Sequence, residues 1–150
     1  MTELSRSDEM SLAGAALRGA PWKLAAFTGG GVAAVNMLIG LVFSGADPGG
    51  ALSLGAGLFF IVAAAGALFN PGASGIDRVT RNARAWSLKH PWRFALLPAA
   101  ATAAVTYPIQ LILDGEGIFG SLFDALWGGA LVYLVVGLLG VAVKGRARNS

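Results

Sequence analysis

Four long stretches of apolar residues divide this chain. They cover residues 24–43, 51–69, 94–113 and 122–143, and each contains 19 to 22 residues. About 20 helical residues cross a hydrocarbon core of roughly 30 Å, whereas the strands of a membrane barrel have about 9 to 11 residues and alternate strictly. These four apolar windows show no such alternation. The pattern therefore predicts an all-α integral membrane protein with four transmembrane helices.

The first and third windows open with the same motif. PWKLA at residues 21–25 returns as PWRFA at residues 91–95, seventy positions later. The second and fourth windows match more weakly at an offset of 74. In that match Gly55, Phe59, Ala63 and Gly66 correspond to Gly129, Tyr133, Gly137 and Gly140. We therefore expect two hairpins, 21–70 and 91–143, that form parallel repeats related by a twofold axis along the membrane normal.

The segment before the first window, residues 1–20, has a helical pattern of its own. Met10, Ala13 and Leu17 recur at helical spacing, and Pro21 follows where a helix would end. This segment is expected to form a short amphipathic helix at the membrane interface.

The connector between the two hairpins, residues 71–90, is also expected to be an amphipathic interfacial helix. Ser74 and Asp77 have the spacing of a capping box. One side is predicted to carry Ile76, Val79, Ala83 and Trp86. Four basic residues are expected at lipid headgroups of an anionic inner leaflet: Arg78, Arg81, Arg84 and Lys89. Recruitment of an acidic cytosolic partner is the alternative.

Charge is distributed unequally between the two sides of the predicted membrane. All eleven basic residues precede the first window, lie between the second and third, or follow the fourth in the basic tail 144–150. The two remaining loops carry acids only: Asp47, Asp114 and Glu116, with Asp124 just inside the fourth window. The positive-inside rule then places both termini and the connector in the cytoplasm, and we expect a prokaryotic cytoplasmic membrane. Topology accounts for the basic excess, so no nucleic-acid partner is expected.

Aromatic and basic residues flank the windows where a membrane interface would lie. An indole ring can keep its apolar face in lipid and its N–H in the headgroup region. The predicted interface anchors are Trp22, Lys23, Trp86, Trp92 and Arg93.

Small and polar residues inside the windows form the candidate contact surfaces. Small residues let helix backbones approach closely, and an amide or hydroxyl can hydrogen-bond across such a contact. The small-residue candidates are Gly29, Ala33, Gly40, Ala99, Ala103, Gly55, Gly66, Gly129, Gly137 and Gly140. The polar stripe within the membrane comprises Asn36, Thr102, Thr106, Tyr107 and Gln110.

Candidate chemistry is sparse. The chain has no cysteine and a single histidine, His90, which lies at an interface. Asp124 is either a cap partner of Ser121, as in a capping box, or a functional intramembrane carboxylate. The sequence therefore predicts no catalytic residues, no metal site and no cofactor.

Two classes of function fit these features. The first is a non-catalytic scaffold or accessory subunit that docks other membrane helices, within a homo-oligomer or a larger membrane complex. The second is an oligomeric transporter or channel for a small solute or ion, with a polar path along the first and third membrane helices. A hole-forming protein would share the small size and the basic tail, which are generic features.

Overall fold

The computed structural model of this chain describes residues 6–43, 45–69, 78–115 and 117–149. This part of the chain is helical and contains no strand. Its six helices are α1 Arg6–Leu17, α2 Trp22–Phe43, α3 Pro48–Phe69, α4 Arg78–Lys89, α5 Pro91–Leu113 and α6 Ile118–Asn149. Four of them, α2, α3, α5 and α6, are long and apolar enough to cross a membrane. The predicted cap formed by Ser74 and Asp77, together with Ile76 and Glu116, lies outside the described residues.

Local sequence accounts for where two of the helices begin. Asp47 precedes Pro48, and its carboxylate oxygen Oδ1 accepts the backbone N–H of Gly50 at 2.8 Å. An aspartate that caps the first turn, followed by a proline that lacks an N–H to satisfy, is a favourable helix start. α5 likewise begins at Pro91.

The predicted capping box at the start of the fourth window is wrong. α6 begins at Ile118, so Ser121 lies inside the first turn, where its N–H bonds to the carbonyl of Gly117 at 3.1 Å. Ser121 is buried, and Asp124 is half-buried in the second turn. α6 begins four residues before the fourth apolar window, so the polar loop that precedes it is shorter than the hydropathy pattern suggests. At its other end α6 continues through residues 144–149.

The membrane helices form two antiparallel hairpins, α2 with α3 and α5 with α6. α3 lies centrally and contacts α2, α5 and α6. Within the described residues α2 contacts α3 and no other helix. A twofold axis between the hairpins would pair α6 with α2 in the way that α3 pairs with α5. The described contacts do not include that α2–α6 pair.

The two short helices pack against each other at one end of the bundle, where α2 and α5 begin. We call this the basic end. The opposite end, where residues 45–47 and 114–115 lie, is called the acidic end. Ala13 and Leu17 of α1 and Ala83 and Trp86 of α4 are buried in one core with the adjoining turns of the membrane helices. Alanine dominates this core, which allows close backbone approach.

The buried face of α4 differs from the predicted one. Thr80, Ala83, Trp86 and Ser87 are buried, whereas Val79 is 55% exposed. Met10 of α1 is likewise exposed, although Ala13 and Leu17 are buried. The choice of face follows from the packing of α1 on α4, and a single helix pattern does not contain that information.

Candidate functional site

The closest helix contact in the first hairpin is between two glycines. A Cβ added to Gly55 would lie 2.6 Å from the carbonyl oxygen of Gly29 and 2.8 Å from Cβ of Ala33. A Cβ added to Gly29 would lie 2.6 Å from the carbonyl oxygen of Gly55. The two backbones therefore touch, and no side chain fits between them.

The second hairpin has a similar contact at Gly129. A Cβ added there would lie 3.0 Å from the carbonyl oxygen of Ala99 and 3.2 Å from Cβ of Ala103. This contact is looser than the one at Gly55, because alanine replaces glycine on the facing helix.

Both hairpins also pack a proline and a tryptophan at the basic end. In the first hairpin, Gly66 faces the ring of Pro21, and Trp22 lies 5.8 Å from Phe59 between ring centroids. In the second, Gly140 faces Pro91, with 2.5 Å from an added Cβ to Cβ of Pro91. Gly137 faces the indole of Trp92, which lies 5.4 Å from the Tyr133 ring. By contrast, Gly40 faces the carbonyl of Gly45 in the first loop, at 2.8 Å from an added Cβ.

Three members of the predicted polar stripe are buried together on one face of α5. Thr102, Thr106 and Gln110 are spaced by one helical turn each, and all three are buried. The Thr102 hydroxyl donates to the carbonyl of Pro98 at 2.8 Å. Tyr107 is half-buried beside them. The sequence pattern thus selected a face of α5 that is covered by protein.

Buried oxygens without a hydrogen-bond partner accumulate toward the acidic end. Thr106 Oγ1, Gln110 Oε1 and Ser53 Oγ are in this state. The side chain of Asp114 accepts the N–H of Gly49, so α3 and α5 meet there in antiparallel register. Ser53 and Gln110 each lie four residues, about 6 Å, below that contact. A buried unpaired acceptor costs about 1–3 kcal/mol, so this level of the α3–α5 contact is where a polar ligand would be favoured.

Ser53 was not among the predicted polar residues. It is the single hydroxyl residue in the window 51–69. Counting one helical turn inward from each loop places Ser53 at the same height as Gln110. This count was the sequence signal that could have identified Ser53 as a polar candidate.

Asn36 is separated from the other polar residues. It is exposed on α2, and α2 has no described contact with α5. The structure therefore does not bring Asn36 together with Thr106 and Gln110 within one chain. The small residues Gly29 and Ala33, on the same helix, are buried against α3.

At the acidic end, carboxylates of both hairpins lie close together. Asp114 is exposed, but partial desolvation of its carboxylate raises its pKa, and the charge of Asp47, a side-chain hydrogen bond with Asp47 and the charge of Asp124 raise it further. The N–H of Gly49 acts in the opposite direction. Among the described residues, no group of three or more His, Cys, Asp and Glu side chains could hold a metal ion.

The basic end contains an open groove of about 520 Å³. Its lining includes Lys89, His90, Trp92, Arg93 and Lys144. The Lys144 ammonium donates to the carbonyl of Lys89 at 3.4 Å, which joins α6 to the α4–α5 junction. Three cations and an indole ring at the predicted interface form a surface suited to an anionic headgroup.

The other predicted basic and aromatic residues occupy different surroundings. Arg78 and Arg81 are exposed, but Arg84 is half-buried and donates to the carbonyl of Leu68 at 2.5 Å. Arg84 thus satisfies a carbonyl at the end of α3, where helical partners are missing. Arg93 forms an ion pair with Glu9. Among the anchors, Trp22, Lys23 and Trp92 are exposed, whereas Trp86 is buried in the core.

Comparisons with protein-family models, with curated proteins and with solved structures found no match to this chain.

Proposed function

We propose that this chain is a non-catalytic membrane protein that docks other membrane helices, as a scaffold or accessory subunit. The observation that carries the proposal is the position of Asn36. It is an amide exposed near the middle of α2, a helix with one described neighbour. An amide facing hydrocarbon is unfavourable, and pairing it across a helix contact contributes about 1 kcal/mol. A partner helix would supply that pairing.

The hairpins are proposed to be internal repeats. Three contacts of the first hairpin recur in the second when α2 is shifted by 70 residues onto α5 and α3 by 74 onto α6. Gly55 against Gly29 and Ala33 corresponds to Gly129 against Ala99 and Ala103. The other pairs are Gly66 with Pro21 and Gly140 with Pro91, and Trp22 with Phe59 and Trp92 with Tyr133.

The proposed orientation places the basic end in the cytoplasm, against an anionic leaflet. The distribution of all eleven basic residues supports it. The groove between Lys89, Arg93 and Lys144 offers such lipids a specific contact. α4 is proposed to lie at this interface with Arg78 and Arg81 outward.

The docking proposal is tested by purification in a mild detergent, with the co-purifying proteins identified by mass. Asn36→Leu removes the amide and keeps an apolar side chain of similar size. The double variant Asn36→Leu/Leu38→Asn moves the amide to the other side of α2. We expect both variants to lose the partner, whether another protein or a second copy, while the secondary structure stays unchanged. An unchanged set of partners in both variants would refute the proposal.

A second candidate is an oligomeric transporter or channel for a small solute or ion. The unpartnered oxygens of Ser53, Thr106 and Gln110 below Asp114 favour it. In proteoliposomes, Thr106→Val or Gln110→Leu is expected to abolish a flux that this protein supports. Thr102→Val is the matched control, since its hydroxyl is already bonded to the carbonyl of Pro98. Equal flux in all variants would exclude this path.

A further inference from the structure

We propose that a second copy of this chain packs its α2 against α6 of the first, through a surface formed by Leu24, Thr28, Val32 and Asn36. We call these four residues the open α2 face. The inference rests on the internal repeat proposed above and names the partner that this face binds.

The open α2 face corresponds to a face that is fully covered in the second hairpin. Seventy residues later the equivalent positions are Phe94, Pro98, Thr102 and Thr106 of α5, and all four are buried. Phe94 is 0% exposed and Leu24 is 57% exposed. Thr28 and Val32 are half-buried and Asn36 is exposed. One repeat thus has a covering that the other lacks.

Most of the covering of α5 comes from two helices, and α1 and α4 add contacts to it at the basic end. α6 is its partner within the hairpin, and α3 of the first hairpin is the other. α2 contacts its partner in the first hairpin, α3, as α5 contacts α6. The second neighbour of α5 is α3, and the helix that corresponds to α3 in the second hairpin is α6. α6 is therefore the neighbour that α2 lacks. Within the described residues α6 makes no contact with α2, so a second chain must supply it.

The α6 surface that would receive α2 is exposed and apolar. Leu131, Leu134 and Leu138 are 47%, 49% and 60% exposed, and they share one face of α6. The equivalent residues of α3 are Gly57, Phe60 and Ala64, 74 positions earlier, and they are buried or half-buried. The open α2 face and the α6 surface that would bind it are therefore both exposed in a single chain.

The register of this contact follows from the α3–α5 contact. Gly49 lies beside Asp114, so antiparallel counting places Gly57, which faces Val132 of α6, at the same height in the bundle as Thr106. The equivalent residues are Leu131 and Asn36. We therefore expect Asn36 of one chain to lie near Leu131 of the next.

The partner is a second copy because the contact continues one that already exists inside the chain. The α3–α5 contact joins two different surfaces, and its counterparts on α6 and α2 stay free at the two ends. A contact between unlike surfaces repeats from copy to copy and closes into a ring when the rotation permits. A dimer would contain four hairpins in sequence.

Cysteine cross-linking tests the proposed register, since the chain has no cysteine of its own. The double variant Asn36→Cys/Leu131→Cys, oxidised in native membranes with a membrane-permeant copper catalyst, is expected to form covalent dimers or larger multiples. A disulfide requires Cα atoms about 4.4–6.8 Å apart, so only facing positions react well. The matched control is Ala34→Cys/Leu131→Cys, because Ala34 is exposed on the other side of α2.

We expect the Asn36 pair to cross-link several-fold more than the Ala34 pair, and either single cysteine to give little product. Equal yields in both pairs would indicate random collision and overturn the inference. Efficient cross-linking of Asn36→Cys alone would also overturn it, because α2 would then contact α2.

The mass of the unsubstituted protein in mild detergent provides a second measurement. Two or more chains per particle are expected. A single chain that still binds other proteins through Asn36 would overturn this inference and leave the docking function in place.

Discussion

The glycine contact between α2 and α3 allows a quantitative test of how the first hairpin is held together. Gly55→Ala adds one methyl group whose Cβ would lie 2.6 Å from the carbonyl oxygen of Gly29 and 2.8 Å from Cβ of Ala33. Ordinary contact begins at 3.4 Å, so the helices must separate by about 0.8 Å, obtained as 3.4 minus 2.6. Overpacking of this kind costs about 1–3 kcal/mol.

Two other glycines provide graded controls. Gly129→Ala places its Cβ 3.0 Å from the carbonyl of Ala99, so it requires a shift of about 0.4 Å, obtained as 3.4 minus 3.0. Gly57→Ala places its Cβ 3.8 Å from Val132, an ordinary contact. In a helix, alanine is more favourable than glycine by about 0.5–1 kcal/mol. Gly57→Ala should therefore be neutral or stabilising.

The assay is the free energy of unfolding in mixed micelles, measured by steric trapping or by denaturant titration with helix content as the readout. We expect the loss of stability to be largest for Gly55→Ala, smaller for Gly129→Ala and absent for Gly57→Ala. Equal stabilities for all three variants, or a more stable Gly55→Ala, would refute the argument that backbone approach at Gly55 limits the α2–α3 distance.

Three further predictions follow from the two ends of the bundle. The pKa of Asp114 is raised above 3.8 in the folded protein, so the protonated carboxyl stabilises the fold; this contribution is complete below pH 3.8 and is lost as the pH rises through the raised pKa. Asp114→Asn should remove this part of the pH dependence of the thermal unfolding temperature, and an unchanged pH profile would contradict the prediction. Lys89→Gln/Lys144→Gln should reduce retention of anionic phospholipid in native mass spectrometry, while Arg81→Gln, away from the groove, should not; equal retention would argue against a specific headgroup contact. Arg84→Gln should lower the unfolding free energy by about 1–3 kcal/mol through loss of the bond to the Leu68 carbonyl, and an exposed control, Arg78→Gln, should change it little.

The four spans could be predicted because hydrocarbon thickness imposes a length that the apolar windows display directly. Buried Thr102, Thr106 and Gln110 could be selected as well, since their spacing on α5 is a local property. Asn36 shows the limit of such reasoning. Its exposure depends on which helices adjoin α2, and helix neighbours are set by contacts remote in sequence. Val79 was predicted on the buried side of its helix and is exposed for the same reason. Ser121 was predicted as a helix cap and lies inside α6, because the start of a helix depends on the length of the loop before it.

The attachment of α2 through a single neighbour has a mechanical consequence. α3, α5 and α6 contact one another in all three pairs, so removing any one contact leaves each helix held by another. Within the described residues α2 has no second helix to hold it if the contact with α3 is lost. A force applied at the N-terminal side should first detach α1 from α4 and then extract α2, leaving α3, α5 and α6 in contact. Single-molecule pulling would record the extraction of α2 as a step separate from the unfolding of these three helices.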